Sequence, residues 1–148
     1  MSIPALNDRG LLPEGIHDAT IEEIKARFGS FQGSDRRPKL WNALLEYVSE
    51  AKNVSVIEAI LLDGSFVTAT AEPNDIDLVV VLSREHNLKI ELPIGFYNLL
   101  AQNRVRRRFG FDIVVVKNGT QSMNEACEFF QRVRHQPALR KGIVKLKL

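Results

Sequence analysis

The chain has 148 residues, of which 45% are hydrophobic and 26% charged, and its formal net charge is +2. These values predict one globular domain over 1–148, and the small net charge is no argument by itself for nucleic-acid binding. The single cysteine, Cys127, excludes an internal disulfide and a cysteine-built zinc site, and the three histidines lack metal-ligand spacing. No signal peptide and no apolar run long enough to cross a bilayer is found. We therefore expect a cytoplasmic protein without membrane contact.

The first part of the chain is expected to be mainly helical. It divides into an irregular arm over 1–17, a short helix over 18–29, a loop over 29–38 and a helix over 39–52. Thr20 and Glu23 stand at capping-box spacing at the start of the short helix. In the longer helix, apolar residues recur every three or four positions, and Trp41 widens that stripe. We interpret Trp41 as a core residue rather than a base-stacking one.

The rest of the chain alternates predicted strands and helices. They are a strand over 54–62, a helical turn over 66–71, a strand over 75–82, a helix over 94–109 and a strand over 111–116. A last helix follows, which Ser122 and Glu125 cap and whose apolar stripe consists of Ala126, Phe129, Phe130 and Val133. The tail over 141–148 is predicted to be an edge strand whose lysines prevent further pairing. No element is predicted over 83–93. The pattern indicates an α/β (α+β) fold, in which helices flank a small central mixed sheet.

The stretch ILLDGSFVTATAEPNDIDLVVVL, over 60–82, carries the strongest functional signal. Asp75 and Asp77 open an apolar run, and alternation along a strand would place both side chains on one face. Two carboxylates at the mouth of a buried strand repel each other and lose hydration, so a divalent cation is the usual reason to keep both ionised. The alternative is a turn formed by Pro73, Asn74 and Asp75. Turn chemistry leaves Asp77 unexplained.

The predicted connections bring a third carboxylate to this pair. A short turn joins the first two strands and makes them antiparallel, whereas a helix joins the second and third strands and makes them parallel. Asp112, near the start of the third strand, is therefore expected beside Asp75 and Asp77, if the inferred register of that strand holds. The bend at Gly64 and Ser65 reaches the same edge. Gly64 lets the backbone approach a phosphate, and Ser65 adds a hydroxyl and an amide at a helix start.

Such a cluster has a definite chemistry. Three carboxylates can hold one or two Mg²⁺ ions, which bridge phosphate oxygens and offset the charge of an in-line phosphoryl displacement. Asp112 could instead accept the proton of an attacking hydroxyl. Asp63 is either a residue that supports the metal ligands or a turn residue. A basic run precedes Asp112 and consists of Arg104, Arg106, Arg107 and Arg108. It either complements a helix C-terminus or contacts a triphosphate or an RNA acceptor.

These residues resemble the signature of the DNA polymerase β-type nucleotidyltransferase superfamily. The likeness rests on Gly64–Ser65, nine intervening residues, Asp75-Ile76-Asp77 and the later strand residue Asp112. It implies a nucleotidyltransferase fold, a nucleoside triphosphate such as ATP at Gly64 and Ser65, and metal ions on Asp75 and Asp77, with Asp112 completing the triad. It also implies transfer of a nucleoside monophosphate to an acceptor, with release of pyrophosphate.

The segment LLPEGIHDATIEEIKARFG, together with the stretch over 60–82, also resembles a small, uncharacterised prokaryotic branch of that superfamily, which names no substrate. Larger members add a domain that reads the base and the acceptor, whereas only about thirty residues follow the third strand here. The chain is therefore most similar to minimal nucleotidyltransferases, some of which are antitoxins that modify a partner protein. That resemblance implies a partner protein or a homo-oligomer that completes the site.

Three hypotheses follow for the function. The first is an Mg²⁺-dependent nucleotidyltransferase that acts on a protein or RNA hydroxyl. The second is a binding or antitoxin-like module that keeps the fold and acts by holding a partner protein. The third is nucleic-acid binding through the arginine run, which predicts a steep dependence on salt.

Overall fold

The structure is a computed structural model that describes residues 3–30, 33–85, 94–133 and 136–148. No element is predicted over 83–93, and residues 86–93 of that segment lie outside the described ranges. His86 and His135 lie outside them as well. The elements in chain order are β1 (Gly15–Ala19), α1 (Ile21–Ile24, continued by a wider helical turn over Lys25–Gly29), α2 (Arg36–Ala51), β2 (Ile57–Asp63), a 3-10 turn (Ser65–Val67), β3 (Asp77–Leu82), α3 (Ile94–Leu100), α4 (Gln102–Phe109), β4 (Asp112–Lys117), α5 (Gln121–Phe130), β5 (Arg132–Val133), β6 (Gln136–Arg140) and β7 (Gly142–Lys147).

A five-stranded mixed sheet organises the fold, in the order β1-β7-β2-β3-β4. β2 runs antiparallel to β3 and to β7, while β3 is parallel to β4 and β1 is parallel to β7. The mixed α/β class with helices around a central sheet is therefore confirmed, as are the predicted directions of β2, β3 and β4. A second sheet consists of the short hairpin β5–β6, which the sequence pattern did not reveal.

Helices cover both faces of the sheet, which explains why β2 and β3 read as continuous apolar runs. On one face, α2 contributes Trp41, Leu44 and Tyr47 to the larger core cluster, which also contains Ile60 and Val80. On the other face, Cys127 of α5 packs with the alternate strand residues in a second cluster. Trp41 is only 5% exposed, so its interpretation as a core residue is confirmed.

Several predicted boundaries are wrong in the first half of the chain. The arm predicted over 1–17 contains the start of β1, whose partner β7 lies at the other end of the sequence. The predicted loop over 29–38 ends earlier, because α2 begins at Arg36 and places Pro38 in its first turn, where a missing N–H costs no helical bond. The capping box of Thr20 and Glu23 is present at α1 as predicted.

Other differences lie in the second half. The helix predicted over 94–109 is interrupted at Ala101, whose backbone is extended, and Gly110 ends α4 in the left-handed conformation. The last helix is capped by Thr120, whose hydroxyl accepts a hydrogen bond from the Met123 amide, and not by Ser122. The tail strand β7 is not an edge, because β1 pairs with its outer side. Alternation along a sequence shows which face of a strand is exposed, but not whether another strand pairs with its backbone.

No helix in the described parts of the chain is long and apolar enough to cross a membrane.

Candidate functional site

The end of β2 and the beginnings of β3 and β4 meet at one edge of the sheet. Asp63 is the register partner of Asp77, and Asp77 is the register partner of Asp112. Three aspartates therefore stand side by side on three neighbouring strands. The short β2–β3 connection and the helical β3–β4 crossover cause this alignment, since the first reverses the chain and the second returns it to the same edge.

Asp75, Asp77 and Asp112 converge as their connections predict. Each offers a carboxylate oxygen, and these oxygens all lie within 4.8 Å of one another. Asp75 and Asp77 are half-buried and Asp112 is exposed. One detail of the prediction is wrong, because β3 begins at Asp77 and Asp75 lies in the segment before it. Strand alternation alone therefore does not place Asp75 with Asp77.

The electrostatic cost of this cluster falls mainly on Asp77. The pKa of Asp77 is raised to about 6, first by burial and then by the carboxylates of Asp75, Asp63 and Asp112, while Lys141 opposes the change. A raised pKa means that the anionic form of Asp77 is held against an unfavourable field. A cation placed among the three carboxylates would stabilise the Asp77 anion against both its burial and the repulsion from its neighbours.

The bend at Gly64 and Ser65 lies directly against Asp77. Gly64 has a φ of +88°, and a Cβ added there would lie 3.2 Å from Asp77 Oδ2 and 3.3 Å from Asp77 N. Glycine is therefore required both by the backbone conformation and by the close approach of β3. Ser65 is half-buried, and its Oγ accepts a hydrogen bond of 3.3 Å from the Asn74 amide. The helical turn predicted over 66–71 is a three-residue 3-10 turn over Ser65–Val67.

Two arginines at the start of α2 hold the loop between this bend and Asp75. Arg37 is buried and donates hydrogen bonds to the carbonyls of Phe66 (2.6 Å) and Thr68 (2.7 Å). Arg36 donates to the carbonyls of Pro73 (2.8 Å) and Asn74 (3.2 Å). Neither role was predicted, because a local pattern does not show which distant carbonyls an arginine will reach.

Asp63 and Lys141 form a buried ion pair beside the cluster. Lys141 Nζ lies 3.0 Å from Asp63 Oδ1, and the two side chains are 17% and 6% exposed. The contact is an ion pair rather than a well-aligned hydrogen bond, because no described donor is oriented to hydrogen-bond Asp63 Oδ1. Burial raises the pKa of Asp63, and Lys141 partly reverses that shift. Asp63 is the buried last residue of β2 rather than a turn residue, and its partner Lys141 was not predicted.

The arginine run divides between several partners. Arg106 forms an ion pair with Asp112, while Arg108 reaches Glu50 and lies 2.7 Å from Glu46 Oε1 on α2. Arg108 therefore ties α4 to α2, a role that differs from both alternatives considered for the arginine run. Arg106 shows that the Asp112 carboxylate already attracts a cation.

The clustered residues line one open cavity of about 760 Å³. Its walls come from the N-terminal arm, the β2–β3 connection, the starts of β3 and β4, and the C-terminal segment that runs from the end of α5 to Lys141. The lining residues are Arg9, Gly10, Leu11, Asp63, Gly64, Ser65, Thr68, Ala69, Thr70, Asn74, Asp75, Asp77, Asp112, Phe129, Phe130, Arg132, Val133 and Lys141. Pieces distant in sequence therefore complete the site around the central stretch.

A family model matches residues 4–147 of the chain. The chain belongs to the family of unknown function DUF6932. The match includes every residue that lines the cavity, so the site lies wholly within the family region. Comparison with curated proteins and with solved structures finds no significant match.

Proposed function

We propose that this DUF6932 chain is a metal-dependent nucleotidyltransferase, which moves a nucleoside monophosphate from a nucleoside triphosphate to a hydroxyl of a protein or RNA acceptor. The observation that carries the proposal is the convergence of Asp75, Asp77 and Asp112, whose carboxylate oxygens lie within 4.8 Å of one another. They share a cavity with the Gly64–Ser65 bend. A cation site beside a glycine bend is a suitable arrangement for a metal-bound polyphosphate.

The donor set fits Mg²⁺. All three groups are carboxylates, the hard oxygen ligands that Mg²⁺ prefers, and they come from two strands and the loop before β3 rather than from one flexible segment. Burial and the neighbouring carboxylates together raise the pKa of Asp77 to about 6, and a bound divalent ion would oppose that rise. Bound Mg²⁺, as one or two ions, would neutralise phosphate charge and orient the reacting oxygens.

The residues of the chain then have separate tasks. The Gly64–Ser65 bend binds the phosphates, since its backbone can approach them without a Cβ and Ser65 adds a hydroxyl. Asp75 and Asp77 hold the metal. The acceptor hydroxyl oxygen attacks the α-phosphorus, and the bond from that phosphorus to the bridging oxygen breaks. Pyrophosphate leaves with that electron pair. Asp112, the most exposed of the three carboxylates, completes the metal site and takes the hydroxyl proton.

The test combines metal binding with transfer. Purified protein is titrated with Mn²⁺ as a paramagnetic substitute for Mg²⁺, and is then incubated with α-labelled ATP, GTP, CTP or UTP and with candidate protein and RNA acceptors. The wild-type chain is expected to bind Mn²⁺ and to transfer label. Asp77→Asn is expected to lose both, because it removes the charge at the centre of the cluster.

Asp18→Asn is the matched control. It makes the same change at an exposed aspartate of β1, at the opposite edge of the sheet, and should leave Mn²⁺ binding and transfer unchanged. Label transfer that survives Asp77→Asn would refute the assigned mechanism. Absence of Mn²⁺ binding by the wild-type chain would remove the basis for a metal-dependent enzyme.

A further inference from the structure

Phe129 lies in an unexpected environment for its type. The apolar stripe of α5 predicts it in the core, but it is 62% exposed, more than any other large hydrophobic residue in the described parts of the chain. Cys127, two positions earlier, is the α5 residue buried against the sheet. An exposed phenylalanine of this size gains little from folding, so packing does not explain it.

The neighbouring ring of Phe130 holds Phe129 in place. The two ring centroids are 5.3 Å apart and the rings are nearly perpendicular, with an interplanar angle of 88°. Phe130 is half-buried and packs against the second core cluster. One ring is thus anchored to the sheet, while the other presents aromatic surface to solvent.

Both rings line the same cavity as the carboxylate cluster and the Gly64–Ser65 bend. Its volume of about 760 Å³ lies within the range of small-molecule sites. The polar groups for phosphate and metal lie on the sheet edge, whereas the aromatic rings come from the end of α5. Lys141 lines the same cavity and adds a positive charge near Asp63. A ligand with an anionic part and a flat apolar part matches this division.

We propose that Phe129 is the surface on which the base of the bound nucleotide stacks. This inference rests on the proposed function, because it takes the phosphates to lie at Gly64 and Ser65. Stacking on an aromatic ring accepts every base, since each has a π-face. The site therefore takes all four nucleoside triphosphates, with a modest preference for purines, whose larger rings cover more of the phenyl group. The end of α5 thus supplies the surface for base binding.

The test compares ligands with and without a base. Affinities of wild-type protein and Phe129→Ala are measured for ATP, GTP, CTP, UTP and inorganic tripolyphosphate, each with Mg²⁺, and Mn²⁺ binding is measured alone. Phe129→Ala should weaken nucleotide binding roughly 5- to 150-fold, the loss that corresponds to removal of one base–aromatic stack. Tripolyphosphate and Mn²⁺ binding should not change, because neither contacts the ring.

Two further variants make the reading specific. Tyr97→Ala removes another exposed aromatic, 39% exposed and outside the cavity lining, and should leave every affinity unchanged. Phe129→Trp keeps a stacking surface and should retain nucleotide binding. Because native Trp41 is buried, quenching of the introduced indole by nucleotides, but not by tripolyphosphate, would report contact with the base directly.

The outcomes separate this inference from the function on which it rests. Base stacking would be overturned if Phe129→Ala left nucleotide affinity unchanged, or if it weakened tripolyphosphate binding equally. In either case, Mn²⁺ binding that depends on Asp77 would still support the proposed function. If the wild-type chain binds neither Mn²⁺ nor tripolyphosphate, the proposed function fails and the base site fails with it.

Discussion

Replacement of Lys141 by methionine tests whether the C-terminal segment is an integral part of the site. Methionine keeps an unbranched chain of similar length but removes the charge that faces Asp63. The two side chains are 17% and 6% exposed, so water replaces the lost partner poorly. Asp77, across the strand pair from Asp63, adds a second negative charge to the same region. Lys141→Met therefore leaves a buried carboxylate with no cation and with a like charge close by.

The expected cost follows from burial. Removal of one member of a buried ion pair typically costs about 3–5 kcal/mol, because the remaining charge stays desolvated. Lys141 opens on one side to the cavity, which favours the lower end, about 3 kcal/mol. For a chain of this size, a loss of that order lowers the melting temperature by roughly 6–12 °C. Lys147→Met, at an exposed lysine of β7, should change the free energy of unfolding by less than about 0.5 kcal/mol.

The loss should depend on pH with a definite sign. Burial already raises the pKa of Asp63 in the folded chain, and Lys141 counteracts this rise. Without Lys141 that pKa rises further, whereas its value in the unfolded chain, about 3.9, does not change. At pH 4 Asp63 is largely protonated in the folded variant and about half protonated in the unfolded chain, so the variant loses little. As the pH rises toward 7, the unfolded chain ionises more readily than the folded one, so the loss grows to its full size.

The assay is urea unfolding of wild type, Lys141→Met, Asp63→Asn and the double variant, at pH 4 and pH 7. Asp63→Asn in the Lys141→Met background should recover most of the lost free energy, since the buried charge is then absent from both states. A loss below about 1 kcal/mol at pH 7, or an equal loss at both pH values, would refute the reasoning that Lys141 supports a buried, ionised Asp63.

The remaining predictions concern the glycine bend, a helix cap and the arginine run. Gly64→Ala should destabilise the chain by about 1–2 kcal/mol and weaken Mn²⁺ binding, whereas Gly110→Ala, with a similar φ of +81° but no atom near its added Cβ, should cost stability alone. Thr120→Ala should lower the free energy of unfolding, measured with urea, by about 1 kcal/mol, whereas Thr120→Ser should keep most of it. An equal loss in both variants would contradict the cap. Arg106→Ala should tighten Mn²⁺ binding by up to about fivefold, because its exposed ion pair with a cluster aspartate is worth at most about 1 kcal/mol, while Arg107→Ala should not.

The central stretch was predictable because its geometry is local. Apolar runs define β2, β3 and β4, and the lengths of their two connections determine whether neighbouring strands run antiparallel or parallel. Asp77 and Asp112 therefore meet for reasons that the sequence contains. The prediction for Asp75 succeeded in position but for an incomplete reason, since arginines of α2 hold the loop in which it lies.

The residues that complete the cavity were not predictable in the same way. Phe129 follows a helical apolar period, yet Cys127 is the α5 residue that the sheet buries, and the Phe129 ring stays exposed. Lys141 lies in a tail whose alternation suits an edge strand, although β7 inserts between β1 and β2. A periodic pattern shows which side of an element prefers burial. It does not show how far the partner surface extends.

The sequence by itself determined the mixed α/β class, the directions of the three central strands and the meeting of carboxylates at one sheet edge, because each depends on short connections and on runs of neighbouring residues. Only the tertiary structure decided that β7 joins the two chain ends in one sheet and that Lys141 neutralises Asp63. It also decided that Phe129 faces the carboxylate cavity. These contacts join residues far apart along the chain, and their free energy comes from burial and charge pairing that exist only after the whole sheet has formed.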